Sequence, residues 1–222
     1  MSTKAIVFDL DGTLLDTLKD IAISVNYVLE QYGKKPIEIK KYKYLVGSGA
    51  LKLMRDVLPD EDEKSINRAL KLFEEHYLVQ YSKNTKLYEG IDKLLDFLQE
   101  EGYKLSILSN KVDSFTKHCA QKYLNKWKFE VVYGIRENVP RKPDPAGVFD
   151  ILKTLHVKAD ECWYFGDTNI DMITAKNAGI KNSIGVLWGF RDKVELEENG
   201  ARYTVATPID AISIISCKEG KE

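Results

Sequence analysis

The chain has 222 residues, of which 44% are hydrophobic and 30% charged, and its formal net charge is −1. This composition is typical of a folded globular protein, and it excludes disordered chains and strongly basic nucleic-acid-binding proteins. The length predicts one core fold that carries a smaller insertion, rather than two full-sized domains.

The termini and the cysteines indicate the compartment. Cys119, Cys162 and Cys217 are odd in number and have no C-x-x-C spacing, so we expect reduced thiols. Asp9 interrupts the first apolar segment too early for a signal peptide, and no window approaches the roughly 18 apolar residues of a membrane span. We therefore expect a cytoplasmic protein that binds neither nucleic acid nor membrane, as a monomer or a homodimer.

Short apolar segments alternate with amphipathic helical segments along the chain. The apolar segments are, in order, AIVF, LSIL, FEVVYG, CWYF and SIGVL. Segments without polar interruption are typical of parallel strands that are buried on both faces. Their alternation with helices predicts an α/β fold, a Rossmann-like doubly wound parallel sheet.

The interval between the first two strands has helical periodicity but no convincing strand. Apolar side chains recur at three- and four-residue steps before Gly33, which we interpret as a helix C-cap. A second helical segment, GSGALKLMRDVL, ends before Pro59, and a third amphipathic segment follows it. We interpret residues 16–84 as an inserted α-helical cap domain, and residues 1–15 with 85–222 as the core.

Polar side chains follow the predicted strands. Ligands of open parallel sheets bind beyond the carboxyl ends of the strands, so we expect these side chains to meet at one edge of the sheet. In chain order they are Asp9, Asp11, Ser109, Asn110, Lys142, Asp167 and Asp171.

The aspartates predict a metal site. Asp9 and Asp11 are two residues apart, so in extended backbone both carboxylates project to the same side. Asp167 and Asp171 bring the number of crowded carboxylates to four. Such crowding raises a carboxyl pKa unless a cation neutralises it, and hard oxygen ligands suit Mg²⁺. A second interpretation stays open, in which Asp167 and Asp171 only stabilise the start of a helix.

Lys142 is flanked by prolines in the segment PRKPDP. The proline after it favours extended backbone, which would hold the ammonium in place to bind a phosphate oxygen as a point charge. Taken alone, the segment is better explained as a surface lysine in a proline-rich loop, and Ser109 with Asn110 as turn residues. Taken together with the carboxylates, these groups supply what phosphoryl transfer requires.

Four segments resemble the motifs of the haloacid dehalogenase-like phosphatases, in that family's order. They are DLDGTLLDT, the turn at Ser109, KPDP around Lys142, and GDTNID. The helical insertion resembles the family's C1 cap, and DGTLLDT followed by GDTxxDxxxAxxAG is similar to the phosphoglycolate phosphatase group. The resemblance implies a Mg²⁺-dependent phosphatase that hydrolyses a small phosphorylated metabolite, with 2-phosphoglycolate as the first expectation.

The same resemblance implies catalytic roles. Asp9 would attack phosphorus to form an aspartyl-phosphate, and Asp11 would protonate the leaving oxygen and later deprotonate the attacking water. Lys142 would offset negative charge on the nucleophile and the phosphoryl group. Phosphate oxygens would be held by Thr13, Ser109 and Asn110.

The metal ligands are also implied by the resemblance. Mg²⁺ would be bound by the Asp9 side chain, the Asp11 carbonyl and Asp167, with Asp171 supporting either the metal or the lysine. The segment WGFR at residues 188–191 resembles a family loop near the site.

Other functions stay open. A sugar-phosphate mutase of the β-phosphoglucomutase type has the same core and differs in its cap, while a pyrophosphatase or nucleotidase would differ only in substrate. A receiver-like signalling module that phosphorylates an aspartate fits less well, because receivers are shorter and have no helical cap. A dehalogenase is disfavoured, because it lacks an aspartate at the position of Asp11.

Overall fold

The computed structural model describes residues 4–218 and residue 220 of the chain, which divides into two compact units. One unit comprises the residues up to Leu14 and those from Leu87 onward, and the second runs Leu15–Lys86. The sequence placed the insertion at residues 16–84, close to this division. A cap role for the second unit stays a prediction.

Six parallel strands form the sheet of the first unit, in the order β5-β4-β1-β6-β7-β8, while β2 pairs with β3 in a separate two-stranded sheet. In the part of the chain that the structure describes, the strands are β1 (Ala5–Phe8), β2 (Leu15–Asp16), β3 (Lys86–Leu87), β4 (Lys104–Val112), β5 (Phe129–Ile135), β6 (Cys162–Gly166), β7 (Asn182–Val186) and β8 (Tyr203–Val205).

The helices of the first unit follow its strands. They are α4 (Ile91–Glu100), α5 (Asp113–Tyr123), α6 (Ala146–Leu155), α7 (Asn169–Asn177), α8 (Lys193–Glu198) and α9 (Pro208–Lys218). The second unit contains α1 (Leu18–Gln31), α2 (Ala50–Val57) and α3 (Glu63–Gln80), and single 3₁₀ segments occur at Ile39–Tyr44 and Ala159–Glu161. Among the described residues, no helix has the length and apolar character needed to span a membrane.

Burial on both faces explains why the central strands are apolar throughout. Every residue of β1 and β6 is buried. Ala5 and Val7 pack in one cluster with Val148 of α6 and Ala175 of α7, while Ile6, which alternates with them along the strand, faces the opposite side of the sheet. The predicted doubly wound parallel sheet is confirmed.

The strand order also locates the edge at which ligands bind. From β1 the chain reaches β4 and β5 on one side of it, and then returns to place β6 on its other side. Phe8 at the end of β1 is in register with Ile107 of β4 and Phe165 of β6. The reversal of strand order at β1 therefore opens a crevice at the carboxyl ends of β1, β4 and β6.

The second unit is built on the packing of α1 against α3. Its buried apolar side chains include Val25 and Val28 from α1 and Phe73 and Tyr77 from α3. Gly33 follows α1 with φ +64°, and its N–H donates to the Glu30 carbonyl at 2.9 Å. The predicted glycine C-cap is therefore confirmed, because a left-handed residue at this position is what a Schellman-type end requires.

A fully buried carboxylate ties the two ends of this helical unit together. Asp20 in α1 accepts hydrogen bonds of 2.7–3.1 Å from Gln80, Asn84 and Thr85, at the end of α3 and in the segment before β3. Burial alone raises the pKa of Asp20, but the hydrogen bonds from Asn84, Thr85 and Gln80 outweigh it and lower the pKa below its ordinary value. Hydrogen bonds from neutral groups therefore stabilise the Asp20 anion.

Candidate active site

Asp9 stands at the end of β1, where the parallel pairing with β6 continues by one more hydrogen bond. Its N–H donates to the Phe165 carbonyl at 2.9 Å, which fixes the backbone from which the carboxylate projects. The side chain is almost buried, and its Oδ1 lies 2.9 Å from Lys142 Nζ. The strand therefore presents a rigid carboxylate at the crevice.

Three carboxylates meet there. Oxygen atoms of Asp9, Asp167 and Asp171, all buried, lie within 4.8 Å of one another. The pKa of Asp9 is raised to about 7, chiefly by burial and then by Asp171, although Lys142 opposes the rise. The pKa of Asp167 lies well above its ordinary value, chiefly because of burial and then because of Asp9 and Asp171. The cluster carries more negative charge than its surroundings neutralise.

The carboxylate of Asp11 stands apart from this cluster, so three of the four expected carboxylates come together. Its two oxygens each accept a hydrogen bond of 3.0 Å from Lys111 Nζ. The sequence analysis assumed extended backbone, in which the side chains of Asp9 and Asp11 point to the same side. The chain instead turns after Asp9, because the Leu14 N–H donates to the Leu10 carbonyl at 3.0 Å and Gly12 has φ +93°. This turn gives the two aspartates different neighbours.

Asp167 is held by the turn that follows Asp9 and by a loop after β7. Thr13 Oγ1 donates to one of its oxygens at 3.0 Å, and the Phe190 N–H donates to the other at 2.9 Å. A Cβ at Gly12 would overlap this carboxylate, so the close approach requires glycine. Trp188 in the same loop donates from Nε1 to the Thr13 carbonyl at 2.9 Å, so the WGFR segment lies at the site.

Asp171 belongs both to the start of a helix and to the cluster. Thr168 is the N-cap of α7, and its N–H and hydroxyl donate to Asp171 Oδ2 at 3.1 and 2.7 Å. The other oxygen, Oδ1, lies 2.7 Å from Lys142 Nζ. Asp171 therefore completes a capping box while it faces the lysine, and Thr168 takes the capping position that the sequence left open for Asp167.

Lys142 is buried, in contrast to the surface lysine that its segment suggests when taken alone. Its ammonium contacts Asp9 at 2.9 Å and Asp171 at 2.7 Å. Burial lowers the pKa of Lys142, but the carboxylates of Asp171 and Asp9 outweigh it and raise the pKa well above its ordinary value. Asn110 fixes the lysine backbone, since its amide accepts from the Lys142 N–H and donates to the Lys142 carbonyl, both at 3.0 Å.

Ser109 and Asn110 lie within β4, which continues to Val112, rather than in a turn after it. Ser109 is buried, and its hydroxyl accepts from the Lys111 N–H at 3.2 Å. The side-chain amide of Asn110 is engaged with the Lys142 backbone, so its place in phosphate binding stays a prediction, as do those of Ser109 and Thr13.

Lys111 is the charged residue at the site that sequence reasoning missed. It lies two positions after Ser109 in the same strand, and that period-two spacing would have placed both side chains on one side of the sheet. Its partner Asp11 is 100 residues earlier in the chain, so the ion pair itself leaves no local signal. Phe190 was likewise missed as a specific contact, because it binds Asp167 through its backbone.

The donor set fits a divalent cation. Asp9 and Asp167 offer buried carboxylate oxygens, while Asp171 has one oxygen facing Lys142 and the other engaged by Thr168. Hard cations such as Mg²⁺ bind carboxylate oxygens and leave part of their coordination shell to water or a phosphate. A bound cation would favour the ionised forms that burial disfavours at Asp9 and Asp167.

Comparison with known families identifies relatives over most of the chain. The model of the family described as haloacid dehalogenase-like hydrolase matches residues 6–186. A phosphoglycolate phosphatase from Aquifex aeolicus is 30% identical over 215 residues, which cover 96% of this chain and 96% of that protein.

Solved structures of similar fold also cover most of the chain. A candidate phosphoglycolate phosphatase from Lactobacillus delbrueckii subsp. bulgaricus superposes with a TM-score of 0.89 at 29% identity, covering 97% of this chain and 99% of that one. A candidate β-phosphoglucomutase from Thermotoga maritima superposes with a TM-score of 0.76 over 96% of this chain and 99% of its own. At 24% identity, that second likeness shows the fold alone.

Proposed function

Because the chain belongs to the haloacid dehalogenase-like hydrolases, we propose that it is a Mg²⁺-dependent phosphatase that acts on a small phosphorylated metabolite. The best candidate substrate is 2-phosphoglycolate, which the phosphoglycolate phosphatase relatives support. The observation that carries the proposal is the separation of two aspartates. Asp9 lies in the acidic cluster beside Lys142, while Asp11 lies outside it and is held by Lys111.

The first step of the proposed reaction forms a bond between an Asp9 carboxylate oxygen and phosphorus. The bond between phosphorus and the ester oxygen breaks, and Asp11 gives its proton to the leaving oxygen. Lys142, 2.9 Å from Asp9 Oδ1, keeps positive charge beside the atoms where negative charge gathers. The product of this step is an aspartyl-phosphate on Asp9 and a free alcohol.

The second step restores the enzyme. Asp11, now a carboxylate, takes a proton from a water molecule as that water attacks phosphorus. The bond between phosphorus and Asp9 breaks, which releases inorganic phosphate. Lys111 holds both oxygens of Asp11 at 3.0 Å, so the base keeps its orientation between the two steps.

Asp9, Asp167 and the Asp11 carbonyl would hold Mg²⁺, which when bound supplies positive charge to the phosphoryl oxygens. Thr13 and the Phe190 N–H orient Asp167 toward this role. Asp171 acts mainly through Lys142, because its Oδ1 faces the ammonium and its Oδ2 caps α7.

The test is the Asp9→Asn variant, assayed with a chromogenic phosphate ester and Mg²⁺. Replacing the nucleophile should lower turnover at least about 10³-fold, since the covalent route is removed. Asp92→Asn, at an exposed carboxylate in the first turn of α4, is the matched control and should retain wild-type turnover. Near-wild-type turnover in Asp9→Asn would overturn the proposal.

The substrate is tested by a panel scored for released phosphate. We expect 2-phosphoglycolate to exceed pyrophosphate and nucleoside monophosphates in kcat/KM. Glucose 1-phosphate belongs in the same panel, because its conversion to glucose 6-phosphate without phosphate release would identify a mutase instead.

A further inference from the structure

Lys111 places a second fixed ammonium at the site, paired with Asp11. Its Nζ lies 3.0 Å from both oxygens of Asp11, and the two side chains are only 8% and 17% exposed. A surface pair of this kind would contribute little and would be mobile. Here the lysine is held within β4, two residues after Ser109.

We propose that Lys111 is a specificity-determining residue that binds a carboxylate on the leaving group of the substrate. The inference rests on the proposed function, because Asp11 marks the position of the leaving oxygen only if it is the proton donor. In this role Lys111 would select one class of substrate, the phosphate monoesters of 2-hydroxy acids.

Distances support this assignment. To receive a proton from Asp11, the leaving oxygen must come within about 3 Å of its carboxylate. Lys111 Nζ is 3.0 Å from the same carboxylate, so ammonium and leaving oxygen are separated by two hydrogen-bond lengths at most. In a phosphorylated 2-hydroxy acid the carboxylate is attached to the carbon that bears the ester oxygen. Its oxygens therefore lie within reach of the ammonium.

Charge supports it too. A substrate carboxylate that approaches Asp11 would be repelled by that side chain, and the positive charge of Lys111, 3.0 Å from both Asp11 oxygens, offsets this repulsion. A site presented by a strand of the central sheet also holds its donor more rigidly than a loop would.

The test compares two esters of similar size, 2-phosphoglycolate and ethyl phosphate, in wild type and Lys111→Met. The variant is expected to lower kcat/KM for both esters, because Lys111 also holds Asp11. The ratio of kcat/KM for 2-phosphoglycolate over ethyl phosphate should fall by about 10- to 100-fold, the range for a lost hydrogen bond between charged groups. An unchanged ratio would overturn the proposal, since Lys111 would then serve Asp11 alone.

Binding without turnover supplies an independent measurement. The inhibitors 3-phosphonopropionate and propylphosphonate differ in the carboxylate, and calorimetry should show that Lys111→Met weakens the first by at least about tenfold more than the second. Equal weakening would contradict the proposal. Lys111→Gln repeats both measurements if the methionine variant does not fold, and Lys111→Arg, which keeps the charge, should retain most of the preference.

Lys153→Met, at an exposed lysine in the last turn of α6, is the matched control and should change neither ratio. Failure of the proposed function looks different from failure of this inference. In the first case wild type releases no more phosphate than Asp9→Asn from either ester. In the second, both esters are hydrolysed and the ratio does not depend on residue 111.

Discussion

Lys142 Nζ lies 2.7 Å from Asp171 Oδ1, in a pair whose side chains are 3% and 1% exposed. The same ammonium contacts Asp9, so one cation connects the proposed nucleophile to the first turn of α7. Removal of one partner from such a pair leaves an uncompensated buried charge, which is more costly than loss of a surface pair.

A double-mutant cycle on this pair should show strong coupling. Asp171→Asn and Lys142→Met should each lower kcat by about 10²-fold or more, because each disturbs charge beside the phosphoryl group. The double variant should lose much less than the product of the two single losses, since both act through one contact. Phosphate release and thermal unfolding measure the cycle. The exposed pair Lys193 and Glu197, 3.6 Å apart, is the control and should show almost no coupling.

We expect Mg²⁺ to stabilise the folded protein mainly through binding to Asp167. A ligand that binds only the folded protein raises Tm with its concentration, so wild type should show a rising Tm in a Mg²⁺ titration. Asp167→Asn should lose most of that rise, because it removes a carboxylate from the cluster. Differential scanning fluorimetry measures the shift without any substrate. Asp92→Asn should respond to Mg²⁺ as wild type does, and an equal response in Asp167→Asn would exclude Asp167 as a ligand.

Asp20→Asn should destabilise the protein by about 2–4 kcal/mol at neutral pH, because an amide cannot accept all the hydrogen bonds that converge on this buried carboxylate. The folded-state pKa of Asp20 is depressed, so its contribution is present above the ordinary value of 3.8 and is lost as the pH falls through the folded pKa. The difference in free energy of unfolding between wild type and Asp20→Asn should therefore become smaller in acid. Urea unfolding at pH 7 and pH 3 measures it.

The control for this prediction is Asp60→Asn in the same unit. Asp60 is exposed and lies 3.5 Å from Lys34, so its replacement should change stability by well under 1 kcal/mol. If Asp20→Asn is as mild as Asp60→Asn, the hydrogen bonds around Asp20 do not stabilise the unit.

Gly189→Ala should impair the site. An added Cβ would overlap Asp167 and lie 2.5 Å from the Gly12 carbonyl, so backbone must move. We expect a loss of about 1–3 kcal/mol in stability, together with lower kcat and weaker Mg²⁺ stabilisation. Gly147→Ala is the comparison, because its Cβ would meet the flexible end of Leu108 at 2.7 Å. That variant should lose less activity for a similar loss of stability.

The sequence was most informative where one physical cause dominates. Burial on both faces makes β1 and β6 apolar throughout, so the parallel sheet could be predicted from AIVF and CWYF. Strand β8, at the edge with one of its three residues buried, has too weak a pattern to predict. The two-residue strands β2 and β3 are shorter than any periodicity can detect.

Long-range contacts limited the prediction of the site. Asp9, Lys142 and Asp167 could be expected at one edge because each follows a strand. The direction of Asp11 could not, since it depends on the turn at Gly12, and its ion pair with Lys111 joins residues 100 positions apart. The backbone contact from Phe190 to Asp167 has no side-chain signature at all.

The pairing of β2 with β3 brings the entrance and exit of the helical unit side by side, at Leu15–Asp16 and Lys86–Leu87. A segment whose two ends are adjacent can be replaced by a shorter or longer segment at little entropic cost, because the entropy of loop closure changes only slowly with loop length. The sheet of the first unit can therefore accept helical segments of other lengths and shapes at this junction without a change in its own strand order.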